Sequence, residues 1–203
     1  MVKVILASSS LGRKKMLSYL NVPFNIISST VDEEKIIGKN PLDTLSLRAR
    51  LKAKDVAHKL TTSDQRLKTK DYLIFSADSG AILDNRLIGK PKDHADAIRT
   101  LTLLSGRTHH FVTAINIVKL QNNISRTVLE TSNTSLVTFR KITSKEIEFY
   151  LSVTDYTRYA ASYALVSAQD FITEVKGSTS NIIGLPLEIV IPVLNKYNVF
   201  RKN

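Results

Sequence analysis

Arg13, Glu33, Lys52, Asp78 and Lys90 have the types and settings that phosphate chemistry uses. Arg13 follows Ser8-Ser9-Ser10, where hydroxyls and free backbone N–H groups at a helix start would face an anion. Asp32-Glu33-Glu34 sets three carboxylates after an apolar run, as oxygen donors for a divalent cation or as a solvated loop. Asp78, in Ser76-Ala77-Asp78-Ser79, closes an apolar run, and a carboxylate buried there needs a cation, a metal or several hydrogen bonds. Lys90, in Gly89-Lys90-Pro91-Lys92-Asp93, is a candidate partner for it. Arg13, Lys52 and Lys90 supply positive charge while Glu33 and Asp78 supply oxygen ligands, a set that suits a magnesium–triphosphate. Taken singly, each segment reads better as a cap, a loop or a solvated charge; only their convergence points to a site.

The elements that must position these residues follow from apolar spacing and turn chemistry. Residues 2–6 read as a buried strand, 11–20 as a helix, 24–28 as a second strand and 43–60 as a helix with Asp43 at its cap. The run 72–77 reads as a strand interrupted by Asp78-Ser79-Gly80, with apolar residues resuming at 81–83. A helix over 93–104, capped by Asp93, stops at Ser105-Gly106. Two β-branched stretches, 111–120 and 127–139, flank a turn at Gln121-Asn122-Asn123. Thr143 and Glu146 match a capping box that opens a helix to about Val153. A strand at 171–176 and a helix after Gly184-Leu185-Pro186 complete the chain. This order predicts an α/β fold with a mixed, twisted sheet flanked by helices, as one domain over residues 1–203.

Composition narrows the chemistry. The 203 residues carry 29 Lys+Arg against 18 Asp+Glu, a formal charge of +11, and 43% are apolar, enough to bury a core. With no Cys, thiolate metal sites, disulfides and cysteine nucleophiles are excluded. His58, His94, His109 and His110 lack metal-ligand spacing, and the adjacent pair on a strand would face opposite ways, so surface or packing roles are expected. Neither G-x-G-x-x-G nor G-x-x-x-x-G-K-[ST] occurs. No apolar run is long enough to span a membrane, and the opening residues read as a strand, so a soluble protein is expected. The charge leaves open a nucleic-acid-binding module, with Lys14-Lys15, Arg66–Lys70 and Arg201-Lys202 as patches, but no binding motif or aromatic platform accompanies them.

Six blocks in order resemble the Maf-like nucleoside triphosphate pyrophosphatases, which are similar in fold to inosine triphosphate pyrophosphatases. They are Leu6-Ala7-Ser8-Ser9-Ser10-x-x-Arg13, Asp32-Glu33, Lys52-Ala53, Ala77-Asp78-Ser79 through Leu87-Ile88-Gly89-Lys90-Pro91-Lys92-Asp93, Leu104-Ser105-Gly106-Arg107-Thr108-His109, and Asn181-Ile182-Ile183-Gly184-Leu185-Pro186-Leu187. The resemblance implies a sheet with a central cleft, and cleavage of a nucleoside triphosphate between its α- and β-phosphates. It implies a divalent cation, Mg²⁺ or Mn²⁺, held by Glu33 and Asp78, with Asp78 as general base. Arg13, Lys52 and Lys90 would clamp phosphate oxygens, and Ser8, Ser10 and Ser79 would line the substrate site. It also implies a cytoplasmic homodimer that cleans the nucleotide pool. A nucleotide sensor acting on cell division through a partner, without turnover, is the alternative. The chain departs from the family pattern at Leu11-Gly12, which replaces Pro-Arg, at Ser79, which replaces Thr, and at Val166, which stands for a base-reading Gln that Gln169 could replace. These departures leave dTTP/UTP and modified bases such as 7-methyl-GTP both open.

Overall fold

The computed structural model describes residues 2–62 and 71–200, so the polar connection at 63–70 and the basic clusters Arg66–Lys70 and Arg201-Lys202 lie outside the described residues. Seven strands form one mixed sheet. They are β1 (Lys3–Leu6), β2 (Phe24–Ile26), β3 (Tyr72–Leu83), β4 (Arg86–Ile88), β5 (Thr108–Gln121), β6 (Ile124–Phe139) and β7 (Ile172–Lys176). The order is β2-β1-β3-β5-β6-β7, with β4 against β3. β1 pairs in parallel with β2 and β3, and every other pairing is antiparallel. The helices are α1 (Leu11–Ser18), α2 (Pro41–Thr62), α3 (His94–Leu104), α4 (Ser144–Val153), α5 (Thr179–Ile183) and α6 (Leu187–Lys196).

β3 does not break at Asp78. It runs on to Leu83 because β5 pairs with it from Tyr72 to Ile82, which keeps its backbone extended through the polar residues. On the other edge, β1 stops at Leu6 opposite Phe75, and β4 covers only Leu83 back to Ala81, where it ends at Ile88. Residues 76–80 therefore have one edge uncovered by a strand, which is where the sheet can admit a site. The helix expected over 43–60 starts at Pro41 instead, with the Asn40 side chain accepting from Asp43 N–H at 2.9 Å, so Asp43 lies in its first turn. The second strand is shorter than expected, ending at Ile26. Asn122 and Asn123 close the β5–β6 hairpin in the left-handed conformation, φ 50° and 61°, which asparagine tolerates.

Alternation along β3 sorts the cores. Tyr72 and Ile74 face α2 and pack with Ala53, Val56, Ala57 and Leu60. Leu73, Phe75 and Ala77 face the other way, against Met16, Leu17, Leu185 and Val190 of the α1 and α6 layer. Further along that second face, Ala81 and Leu83 join a separate core with Phe111, Leu101, Leu104, Phe139 and Tyr150. Ser79 and Thr113 lie between these two cores, a polar seam across the sheet.

His109 and His110 face opposite sides, His109 buried and His110 exposed, as alternation requires. His109 Nε2 lies 2.8 Å from the Tyr163 hydroxyl, and burial, helped by His110, pulls its pKa down to about 4. An unfolded His titrates near 6.5, so between about pH 6.5 and pH 4 the unfolded chain binds a proton that the folded chain refuses. Stability should therefore fall on acidification through that window and level off below it. Denaturant unfolding at pH 7, 5 and 4 should show His109→Phe losing about 3 kcal/mol less than the unaltered chain over the same range; equal losses would show that His109 does not set this slope.

Candidate active site

Asp78 and Ser79 are adjacent on β3 and point to opposite faces. On the α2 face, Asp78 is 5% exposed and its Oδ1 accepts from Lys52 Nζ at 2.9 Å. The same ammonium reaches Glu33 Oε1 at 3.2 Å, so one cation joins two carboxylates. Arg48 Nη1 lies 3.8 Å from the other Asp78 oxygen. Burial alone would raise the Asp78 pKa, but the Lys52 and Arg13 charges outweigh it and hold the carboxyl below its ordinary value. Asp78 is therefore an ionised group in a largely dry setting.

Glu33 arrives on a single helical turn, Glu33–Lys35, and α2 holds that segment in place. Lys59 Nζ donates to Ser28 O at 3.0 Å, Asp55 accepts from Thr30 N–H at 2.9 Å, Arg48 Nε donates to Ile36 O at 3.2 Å, and Thr44 Oγ1 accepts from Gly38 N–H at 2.9 Å. Thr44, Arg48, Lys52, Asp55 and Lys59 recur at helical spacing, one face of α2. Of the three acidic residues at 32–34, Asp32 pairs with exposed Lys35 and Glu34 is exposed, which leaves Glu33 to the site.

On the opposite face Arg13 is buried, reached by α1 after Ser10 caps it. Its Nε donates to Gly184 O at 2.9 Å, Nη1 to Ser8 Oγ at 3.0 Å and Nη2 to Ser79 Oγ at 3.1 Å. Burial draws its pKa below the ordinary value while Asp78 and Glu33 oppose that; a guanidinium remains charged. Gly184 is left-handed, φ 103°, and a Cβ there would meet Arg13 Nε and Ser79 Oγ at 3.3 Å. Gly12 is tighter still: a Cβ would lie 2.8 Å from Ile183 O, so α1 and α5 touch where the family pattern places an Arg. Ser8 also accepts from Ser10 N–H at 3.2 Å.

Arg13, Glu33, Lys52, Asp78, Ser8, Ser10 and Ser79 thus converge. Lys90 does not join them by an ion pair: it is exposed, on a loop anchored by Ala161 N–H to Gly89 O at 2.7 Å. Val166 and Gln169 are exposed and form no side-chain hydrogen bond with this group. Arg48 was missed by sequence reasoning, although it lies one helical turn before Lys52. Thr113 was missed as well, and Asn181 was singled out only as part of a motif block with no role, because their contacts depend on strand register and on α5 lying over the sheet. Thr113 Oγ1 is 2.9 Å from both Ser79 Oγ and Asn181 O.

Magnesium is commonly held by one or two carboxylates together with phosphate oxygens and water. Glu33 and Asp78, which already share one cation, fit that donor set. No group of three or more His, Asp or Glu that could hold a metal occurs among the described residues, so the remaining ligands would come from a substrate and water. No helix among them is long and apolar enough to cross a membrane.

A family model described as Maf-like protein matches residues 3–197. A dTTP/UTP pyrophosphatase of Clostridium botulinum is 34% identical over 188 residues, 92% of this chain and 94% of that protein. Another, of Ruminiclostridium cellulolyticum, is 34% identical over 200 residues, 98% of this chain and 97% of that protein. Among solved structures, a HAM1 protein from Coxiella burnetii is similar in fold, with a TM-score of 0.51 at 17% identity, covering 97% of this chain and 100% of that one.

If Lys52 is what makes a buried Asp78 tolerable, Lys52→Met should destabilise the fold by about 3 kcal/mol, because one charge is left poorly compensated. Adding Asp78→Asn should restore part of the loss. Urea unfolding of the two variants decides it; a double variant no more stable than Lys52→Met would refute the pairing.

Proposed function

The chain belongs to the Maf-like protein family, and from that premise we propose that it hydrolyses dTTP or UTP to the monophosphate and pyrophosphate. The observation that carries this reading is the Lys52 ammonium held between Asp78 and Glu33 at 2.9 and 3.2 Å, with buried Arg13 across the strand. The names of the curated relatives favour a pyrimidine base.

Water would attack the α-phosphorus and the bond to the α–β bridging oxygen would break, releasing pyrophosphate. Asp78 would accept the proton of the attacking water. Paired with Lys52 it is a weak base; as an incoming polyphosphate draws on the ammonium, that restraint relaxes. Arg13 has three of its five N–H bonds committed, which leaves two for phosphate oxygens. Ser8 Oγ accepts from Arg13 and from Ser10 N–H, so its own proton is available to an anion. Lys52 would offset charge developing on the transferring group, and Lys90, exposed at the loop, would reach phosphates that arrive from solvent. A divalent ion, Mg²⁺ or Mn²⁺, would be held by Glu33 and Asp78 and supply Lewis acidity and charge neutralisation. Residence in the cytoplasm and assembly as a homodimer follow the same resemblance; the absence of Cys suits a reducing compartment.

With Mg²⁺ present, the purified chain should release pyrophosphate from dTTP or UTP, and chelation should stop it. Asp78→Asn should lower kcat by about 10³-fold while keeping the circular dichroism spectrum of the unaltered chain. Turnover by that variant at the original rate would remove Asp78 from the chemistry.

A further inference from the structure

Counting protons along the seam gives Ser79 a role different from that of a substrate ligand. Three oxygens stand in line, Ser79 Oγ, Thr113 Oγ1 and Asn181 O, each 2.9 Å from the next. Two oxygens that close repel unless a proton lies between them. Asn181 O is a carbonyl and brings none, so the Thr113 proton must point to it. The only proton left for the first contact is that of Ser79, which therefore donates to Thr113. Ser79 is left with lone pairs alone, and one of them accepts from Arg13 Nη2 at 3.1 Å. A group with no proton to give cannot bind a phosphate oxygen, which only accepts.

The geometry points to Thr113 as a positioning residue: by accepting the Ser79 proton it fixes Ser79 as an acceptor and so fixes the Arg13 guanidinium. Thr113 is fully buried and lies directly opposite Ser79 in the β3–β5 register. The Asn181 carbonyl that ends the relay is itself held, because Asn181 Nδ2 donates to Phe111 O at 2.9 Å and to Ser135 Oγ at 3.0 Å. Arg13 keeps one free N–H on each terminal nitrogen, both directed by the three bonds that restrain it. Without Thr113 the Ser79 hydroxyl can rotate, and its proton can then turn toward the guanidinium that it now accepts from. The inference rests on the pyrophosphatase reading only in taking Arg13 as the anion's contact.

The test measures affinity for inorganic tripolyphosphate with Mg²⁺ by calorimetry, which needs no turnover. It compares the unaltered chain with Thr113→Val, Thr113→Ser, Ser79→Ala and the Val/Ala double variant. Thr113→Val should weaken binding about tenfold, Thr113→Ser should restore it, and the double variant should bind no more weakly than Ser79→Ala. Unchanged binding by Thr113→Val, or losses that multiply in the double variant, would overturn the relay. Absence of pyrophosphate release by the unaltered chain, measured in parallel, would overturn the enzymatic reading instead and leave the affinity comparison standing.

Discussion

A carboxylate in the middle of a sheet has to be compensated, and much of this structure follows from how Asp78 is. Taking an ion out of water costs several kcal/mol unless a partner is fixed at hydrogen-bond distance. Lys52 meets that requirement at 2.9 Å, and it can do so because Asp78 falls on the strand face that α2 covers. The long helix then has a second task. Its Thr44, Arg48, Lys52, Asp55 and Lys59 stripe pins the segment from Ser28 to Gly38, which carries Glu33 to the same ammonium. One buried charge thus accounts for a helix position, a loop path and a pair of oxygen ligands.

The opposite strand face solves a different problem. Two apolar cores meet it on either side of residue 79, and the gap between them is filled by hydroxyls, one amide and a guanidinium linked by hydrogen bonds, with the Asn181 side-chain oxygen left without a partner. Hydrogen bonds made in so dry a setting are strong and hold the groups they join in place. The seam also forces close backbone approaches. Gly12 against Ile183 O and left-handed Gly184 against Arg13 mark where a side chain would open the seam. The division between the cores is crossed by charged and polar groups at the stretch of β3 that lacks a neighbouring strand on one edge.

Much of this was legible in the residues. The order of strands and helices, the Asp93 and Thr143 caps and the Asn turn of the hairpin follow from local chemistry, which a sequence displays directly. Asp78 was recognisable as a carboxylate in an apolar run, but its neighbours suggested a strand end; only pairing with β5, distant in sequence, shows that the strand continues. Arg48 carried a readable signal, its helical spacing from Lys52, that stayed ambiguous because polar residues also recur on exposed faces. Thr113 carried none, and Asn181 stood in a motif block without any sign of what it touches. Their partners are set by cross-strand register and by the seating of a short helix, neither of which has a local trace.

The central claim is that Glu33 and Asp78 form one oxygen-donor pair facing a polyphosphate bound by Lys52 and Arg13. Crystals grown with Mn²⁺ and a non-hydrolysable dTTP analogue would test it through the anomalous signal of the metal. The account predicts manganese between the Glu33 and Asp78 carboxylates, with phosphate oxygens on Arg13 and Lys52. Manganese bound elsewhere, with those two carboxylates still closed on Lys52 and the nucleotide away from them, would contradict it.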